Sequence, residues 1–342
     1  MGRGIIFPGM DLGNLGDLAA HAEAANFDSY WVTESRGQDA FVRLAVIAQA
    51  THRIAIGSGI AYSFTRHPIA VAGAAADLDQ LSGGRLIVGL GAGTKYMRQR
   101  WYGVDWAHPA PQMKDYVELM RAAWRAADPP GPLRFAGRSY TIDIDRIARP
   151  GMARPSIPVY AAALNPAMIR FAAEAFDGIA LFPLALSKGY FDQVVVPNIE
   201  IGARRAGKSP RDVKIAAWLL TAVHRDAAEA FRQSQHALGF YFSTRSYGTV
   251  ADLAGFTAEK ERVLAIFNQD RTNPDRDAMA DAISREMVEA MTLSGTPDEV
   301  RRKIGAFEER VDTVVIEAGG EGGRVTPDAR ERAHFSIDAL SR

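Results

Sequence analysis

The chain has 342 residues, 47% of them hydrophobic, and its 40 Lys plus Arg balance 40 Asp plus Glu, which leaves no electrostatic footprint for nucleic acid or an anionic membrane. It contains no cysteine, so disulfides, thiolate metal sites and a cysteine nucleophile are excluded together. No apolar run approaches the roughly 20 residues a membrane helix needs, and MGRGIIFPGMD lacks the layout of a signal peptide, so a soluble cytoplasmic protein is expected.

In chain order, buried-strand patterns fall at 3–7, 29–34, 53–60, 85–91, 157–163, 178–183, 213–223 and 313–318. Helical patterns alternate with them, which is the signature of parallel architecture. Eight such strands predict one α/β domain over 1–342, a closed (β/α)8 barrel rather than an open dinucleotide-binding sheet. Residues 94–111 read as a long aromatic and basic loop after the fourth strand. Residues 133–154 read as a small hairpin. Residues 226–310 are too long for one crossover and read as a helical insertion after the seventh strand that covers the barrel mouth.

The most informative unit is IAIGSGIAYSFTRHPIAVAGAAADLDQLSGGRLIVGLGAG, residues 54–93. Its first strand is β-branched and uncharged, as a strand buried on both faces should be. Gly57 and Gly59 mark a bulge or a close backbone approach near the strand end. His67-Pro68 starts a helix, and Ser82-Gly83-Gly84 stops it with a left-handed cap. GLGAG is not the G-x-G-x-x-G fingerprint, because no helix follows it directly, so Gly89, Gly91 and Gly93 are read as leaving space on one strand face. Leu164-Asn165-Pro166 closes the fifth strand, with Asn165 as N-cap and Pro166 at N1, a geometry that offers N–H groups to an anion. Thr296-Pro297-Asp298-Glu299 is a capping box before the last helix.

Together TRHP after GSGIAYSF, LDQLSGGR and VGLGAG resemble the bacterial luciferase-like superfamily, and most closely its methylenetetrahydromethanopterin reductase branch. FDSYWVTES, IPVYAAALNPAMIRFAAEAFDGIALFP and SGTPDEVRRKIGAF stand in the same order, so the resemblance covers nearly the whole chain. It implies a (β/α)8 barrel and coenzyme F420, a deazaflavin. It further implies a bulge with a cis peptide at Gly59-Ile60 beneath the ring, with Ala61 and Tyr62 lining it. Gly91, Ala92 and Gly93 then meet the ring edge or ribityl chain, Leu164 and Asn165 the phosphate, and Glu34 the hydroxylated or ring-carbonyl edge. Glu317, ending the last strand, is a weaker candidate. Lys95, Arg98 and Arg100 suit the anionic tail of that coenzyme.

The substrate side departs from the branch. Its pterin reductases carry acids where this chain has Ile6 and Thr94, and its sugar-phosphate dehydrogenases carry His and Glu where this chain has Ser35 and Thr94. Proton transfer therefore falls to Glu34, Ser35 and Thr94 as the catalytic set, with the Tyr62 hydroxyl as a further carrier. The expected activity is hydride exchange between deazaflavin C5 and an organic small molecule, in a homodimer, with a separate reductase recycling the cofactor. Two alternatives stand beside it: a two-component FMN monooxygenase and a barrel that binds flavin or ligand without turnover.

Overall fold

The computed structural model describes residues 2–35, 37–105, 109–187, 189–318 and 327–342. Its strands are β1 Gly2–Ile6, β2 Ser29–Val32, β3 Ala55–Ser58, β4 Ala61–Tyr62, β5 Leu86–Gly91, β6 Gly131–Ala136, β7 Thr141–Ile147, β8 Val159–Ala163, β9 Gly178–Leu181, β10 Lys214–Val223, β11 Leu293–Gly295 and β12 Thr313–Glu317. The sheet runs β11-β10-β12-β1-β2-β3-β5-β8-β9, and β9 also pairs with β10, so the order returns on itself. The fold is a (β/α)8 barrel. Within it the chain forms two compact units, 1–29 with 181–197 and 215–342, and 30–180 with 198–214.

In the second unit, β3, β5 and β8 pair in parallel, with Ile56 beside Leu86 and Val88 beside Val159. Their side chains Ile56, Leu86, Val88 and Ala161 are fully enclosed, as strands covered on both faces require. The third strand is interrupted. It ends at Ser58 and resumes as β4 at Ala61, paired to Leu90, so the single strand expected over 53–60 is two pieces around Gly59 and Ile60. The helix Pro68–Leu81 starts where His67 Nδ1 accepts the Ile69 N–H and stops at Gly83 and Gly84, both at positive φ. The expected hairpin is β6 against β7, antiparallel and mostly exposed.

The expected loop over 94–111 is corrected in its described part. Residues Met97–Trp101 are helical, and a 19-residue helix, Pro109–Ala127, begins before the expected loop ends. Residues 106–108 lie outside the described set. The reason is local: Thr94 Oγ1 accepts the Met97 N–H at 3.2 Å and its carbonyl accepts from Arg98, a cap that starts a turn.

In the first unit, β12 lies between β1 and β10, with Glu317 beside Ile6 and Leu220. Residues 226–310 fold into helices, among them Ala227–Phe242, Thr257–Gln269 and Pro297–Glu308, with the short β11, which the pattern does not reveal, between them. The capping box forms as expected, with the Thr296 N–H and hydroxyl both donating to Glu299 Oε2. Among the described residues no helix is long and apolar enough to cross a membrane.

Candidate active site

Apart from the weaker candidate Glu317, every residue assigned to the cofactor or to catalysis from sequence lies in the second unit. Their positions follow from the break in the third strand. Ser58 Oγ donates to the Gly89 carbonyl at 2.8 Å and accepts the Gly89 N–H at 2.9 Å, which locks β3 to β5 where a regular ladder would drift apart. The Gly59–Ile60 peptide bond is cis. The Gly59 N–H donates to the Val32 carbonyl at 2.7 Å, and the Ile60 carbonyl accepts the Glu34 N–H at 3.1 Å, so the interruption is stitched to β2.

The spaced glycines of β5 serve this stitching. A Cβ at Gly89 would stand 1.9 Å from the Ser58 carbonyl oxygen, and one at Gly91 would stand 2.5 Å from the Ile60 side chain. Gly93, at φ +64°, packs against Phe64. The space the glycines leave is thus filled by the chain's own bulge, which corrects the reading of an open face. What remains available at Gly91, Ala92 and Gly93 is backbone.

Glu34 is buried, and its carboxylate is fully engaged. Arg66 Nη1 donates to both oxygens at 3.0 Å, the Tyr62 N–H to Oε2 at 3.2 Å, and the Thr65 hydroxyl to Oε1 at 3.4 Å. Arg66 Nη2 also binds Asp39, which caps the helix Ala40–Ala50 through the Phe41 and Val42 N–H groups. Burial raises Glu34 above the usual carboxylate range, against the pull of Arg66 and the Tyr62 N–H. Asp39, also pushed up by burial, ends below that range because the Val42 N–H, Arg66 and the Phe41 N–H together outweigh it.

The two hydroxyls of the expected catalytic set are also in use. Ser35 donates to Gln38 Oε1 at 3.2 Å inside a tight turn, and Thr94 is the cap described above. Tyr62 is buried and stacks on Phe64 with centroids 5.3 Å apart, while Tyr102 meets both rings edge-on. Arg98 lies over Phe64 and donates to Gln112 at 2.9 Å. It is buried, so of the expected cationic trio only Lys95 and Arg100 face solvent. Sequence reading missed Phe64, Tyr102 and Arg66 as parts of this neighbourhood; the TRHP motif and the aromatic run after β5 were the available signals.

At the end of β8, Asn165 caps the helix Pro166–Ala175 by accepting the Met168 N–H at 2.9 Å. Pro166 has no N–H and Met168 donates to the cap, so in the first three helical positions the Ala167 amide is the one the cap does not use. Leu164 is half-buried, and Asn165, Pro166 and Ala167 are exposed.

A barrel carrying an interrupted third strand, a buried glutamate after the second and a glycine-rich fifth element defines the class of protein: an enzyme fold with its polar groups at the carboxyl ends of the strands. The chain belongs to the luciferase-like monooxygenase family, whose pattern it matches over residues 3–313. An uncharacterized protein of Mycobacterium tuberculosis is 30% identical over 312 residues, 89% of this chain and 88% of that one. The 5,10-methylenetetrahydromethanopterin reductase of Archaeoglobus fulgidus is 27% identical over 313 residues, 91% and 89% of the two chains. Among solved structures, the coenzyme F420-dependent tetrahydromethanopterin reductase of Methanopyrus kandleri shares the fold at a TM-score of 0.84 and 23% identity, covering 99% of this chain and 98% of that one. The oxygenating constituent of 3,6-diketocamphane monooxygenase of Pseudomonas putida, in complex with FMN, shares it at 0.72 and 18%, covering 100% and 97%. The relatives with a stated activity are oxidoreductases, and the structural neighbours include F420-dependent and FMN-bound oxidoreductases beside a riboflavin lyase.

Proposed function

We propose that this protein is a coenzyme F420-dependent oxidoreductase that exchanges hydride between deazaflavin C5 and an organic small molecule. The observation that carries the reading is the interrupted strand at Gly59-Ile60, pinned to Glu34 on one side and Gly89 on the other, in a chain related over nine-tenths of its length to a 5,10-methylenetetrahydromethanopterin reductase. The residues fit a flat, polar cofactor: Gly59 and Ile60 are half-buried and offer backbone rather than bulk, as does Gly93 after the buried Ala92.

In this reading Gly59, Ile60, Ala61 and Tyr62 support the ring, Gly91, Ala92 and Gly93 border it, and Leu164 with Asn165 hold the phosphate end through the Ala167 amide. Glu34, fixed by Arg66, presents a rigid carboxylate edge. Ser35 and Thr94 pass protons through bound water. The cofactor supplies the hydride chemistry; the chain supplies orientation and exclusion of water. The protein works in the cytoplasm as a homodimer, with a separate reductase recycling the cofactor.

The test is a fluorescence titration of the purified protein with oxidised F420 and with FMN at low and moderate salt, followed by a turnover screen of ketones, enones and imines with the cofactor that binds. Selective F420 binding and turnover without oxygen uptake support the reading. FMN preference with oxygen uptake replaces it with the two-component monooxygenase, a reading favoured by the likeness to the FMN-bound camphane enzyme. Tight binding with no turnover replaces it with a ligand-binding barrel.

A further inference from the structure

We propose that the first unit carries a binding pocket for a short-chain monocarboxylate, whose oxygens meet Lys303 and Ser187 and whose alkyl chain lies along Leu219, Met291 and Phe307. The proposal stands apart from the oxidoreductase reading, because every lining residue of the pocket belongs to the first unit and none is assigned to the cofactor. The pocket holds about 180 Å³. That is space for about six waters at roughly 30 Å³ each, the bulk of an acid of about four to six carbons.

The chain leaves this space for local reasons. β11 pairs with β10 only from Thr221 to Val223, so Leu219 and Leu220 stand before that ladder begins. The helix Pro297–Glu308 lines the pocket with Ala306 beside Phe307, and the helix Arg285–Met291 lines it with Ala290. Two walls thus carry a methyl where a longer side chain would close the space. Leu219, Leu220, Met291 and Leu293 are themselves buried, so an alkyl chain that enters leaves water behind.

Two polar residues on the lining define the class of ligand. Ser187 is 4% exposed, its N–H donates to the Leu184 carbonyl at 3.1 Å and its carbonyl accepts the Tyr190 N–H at 3.1 Å. Among the described residues its hydroxyl has no hydrogen-bond partner. A buried hydroxyl left idle is costly, and a native chain keeps one for a reason. Lys303 donates to the Ser294 carbonyl at 2.7 Å, which uses one of the three donors of an ammonium. Among the described residues no carboxylate forms an ion pair with it, and Glu299, one turn earlier, is held by Thr296. Donors without acceptors, one of them charged, fit an anion with two oxygens.

The other charged residue on the lining is Glu289, and it sets the competing class. Its side chain is 61% exposed and lies 3.9 Å from Arg285 on the same helix, so its charge is met at the rim. The Thr292 hydroxyl donates to the Val288 carbonyl at 2.8 Å and brings no free donor. An amine would meet Lys303 as a like charge, and a neutral alcohol would satisfy Ser187 alone. A carboxylate meets both the opposite charge and the unused hydroxyl.

The test is a calorimetric titration of the full-length protein with propionate, butyrate, hexanoate and octanoate. Each added methylene should tighten binding about fourfold until the pocket is full at about six carbons. Hexan-1-ol and hexylamine should bind about tenfold more weakly than hexanoate. Lys303→Met should weaken hexanoate about tenfold and remove the salt dependence of its binding, and Lys303→Arg should restore most of both. Ser187→Ala should weaken hexanoate about three- to tenfold. The same variant should leave the Tm of the free protein unchanged or higher, since the oxygen it removes has no partner; a lower Tm would give the hydroxyl a structural role and count against the site. Ala306→Leu, which adds bulk to a wall, should abolish binding while circular dichroism shows the fold retained. No saturable binding of any acid would overturn the proposal. So would a hexanoate affinity unchanged in both Ser187→Ala and Ala306→Leu, which would put the acid elsewhere, or tighter binding of hexylamine than of hexanoate, which would give the pocket to Glu289.

Discussion

Glu34 and Glu317 are the same residue type, each buried at the carboxyl end of a barrel strand, each within its own unit and each raised by burial, but their surroundings compensate that burial differently. Glu34 has a guanidinium on both oxygens, a backbone N–H and a hydroxyl, so its charge is compensated on the spot. Glu317 has one phenol and aromatic surface. The first is raised by burial against the pull of a bound cation, and the second, with one phenol as its hydrogen-bond partner, is raised further, to about 7. Burial alone therefore does not set the state of a carboxyl; among the described residues, the partners that meet it decide how far it is raised.

The comparison can be broken from either side. The largest effect should come from Gly89→Ala, whose Cβ would collide with the Ser58 carbonyl. It displaces the bulge that seats Glu34 and should cost about 3 kcal/mol or more in chemical denaturation, while the carboxylic-acid infrared band of Glu317 stays where it is. Next, Glu317→Gln should alter how stability depends on pH. A carboxyl raised from 4.5 to about 7 contributes stability that is complete below its unfolded value and is lost as pH rises through its folded one. The wild type should lose about 3 kcal/mol relative to the Gln variant between pH 4 and pH 8, read as a growing gap in Tm.

Arg66→Met turns Glu34 into a carboxyl resembling Glu317. Removing one partner leaves the other charge buried, and because Arg66 is partly exposed the cost should be about 2 kcal/mol at pH 8 and should shrink as pH falls, because Glu34 is already raised by burial and rises further without the cation. A penalty independent of pH would show that Glu34 is not charged in the wild type. The smallest effect should be Ser58→Ala, which strands the Gly89 N–H and carbonyl. It should cost about 1–2 kcal/mol and leave the pH dependence of both glutamates unchanged.

Much of this was legible in the sequence where the chemistry is local. His67-Pro68, Asn165-Pro166 and Thr296 with Glu299 act across two or three residues, so spacing alone places them. The barrel was legible from the order of uncharged strands. The occupant of each glycine's empty space was not, since Ser58 meets Gly89 across 31 residues of chain and no periodicity encodes that meeting. The partner of Glu34 lies 32 residues away, and that of Glu317 lies 76 away on a helix in a segment readable only as helical. Both glutamates could be singled out by position; which one carries a counter-ion depends on side chains that converge only in the folded protein.

The ladder that places Glu317 joins Gly2 to Thr313 and Ile6 to Glu317, the first strand to the last. Almost the entire described chain separates β1 from β12, whereas the ladders within 30–180 join strands far closer in sequence. Closing so long a loop is entropically slow, and an apolar strand left open in the meantime invites pairing with other chains. The β1–β12 ladder is thus a late contact, and β1 is one flank of Glu317. A tag or trimming at the first strand would be felt at Glu317 before it is felt at Glu34.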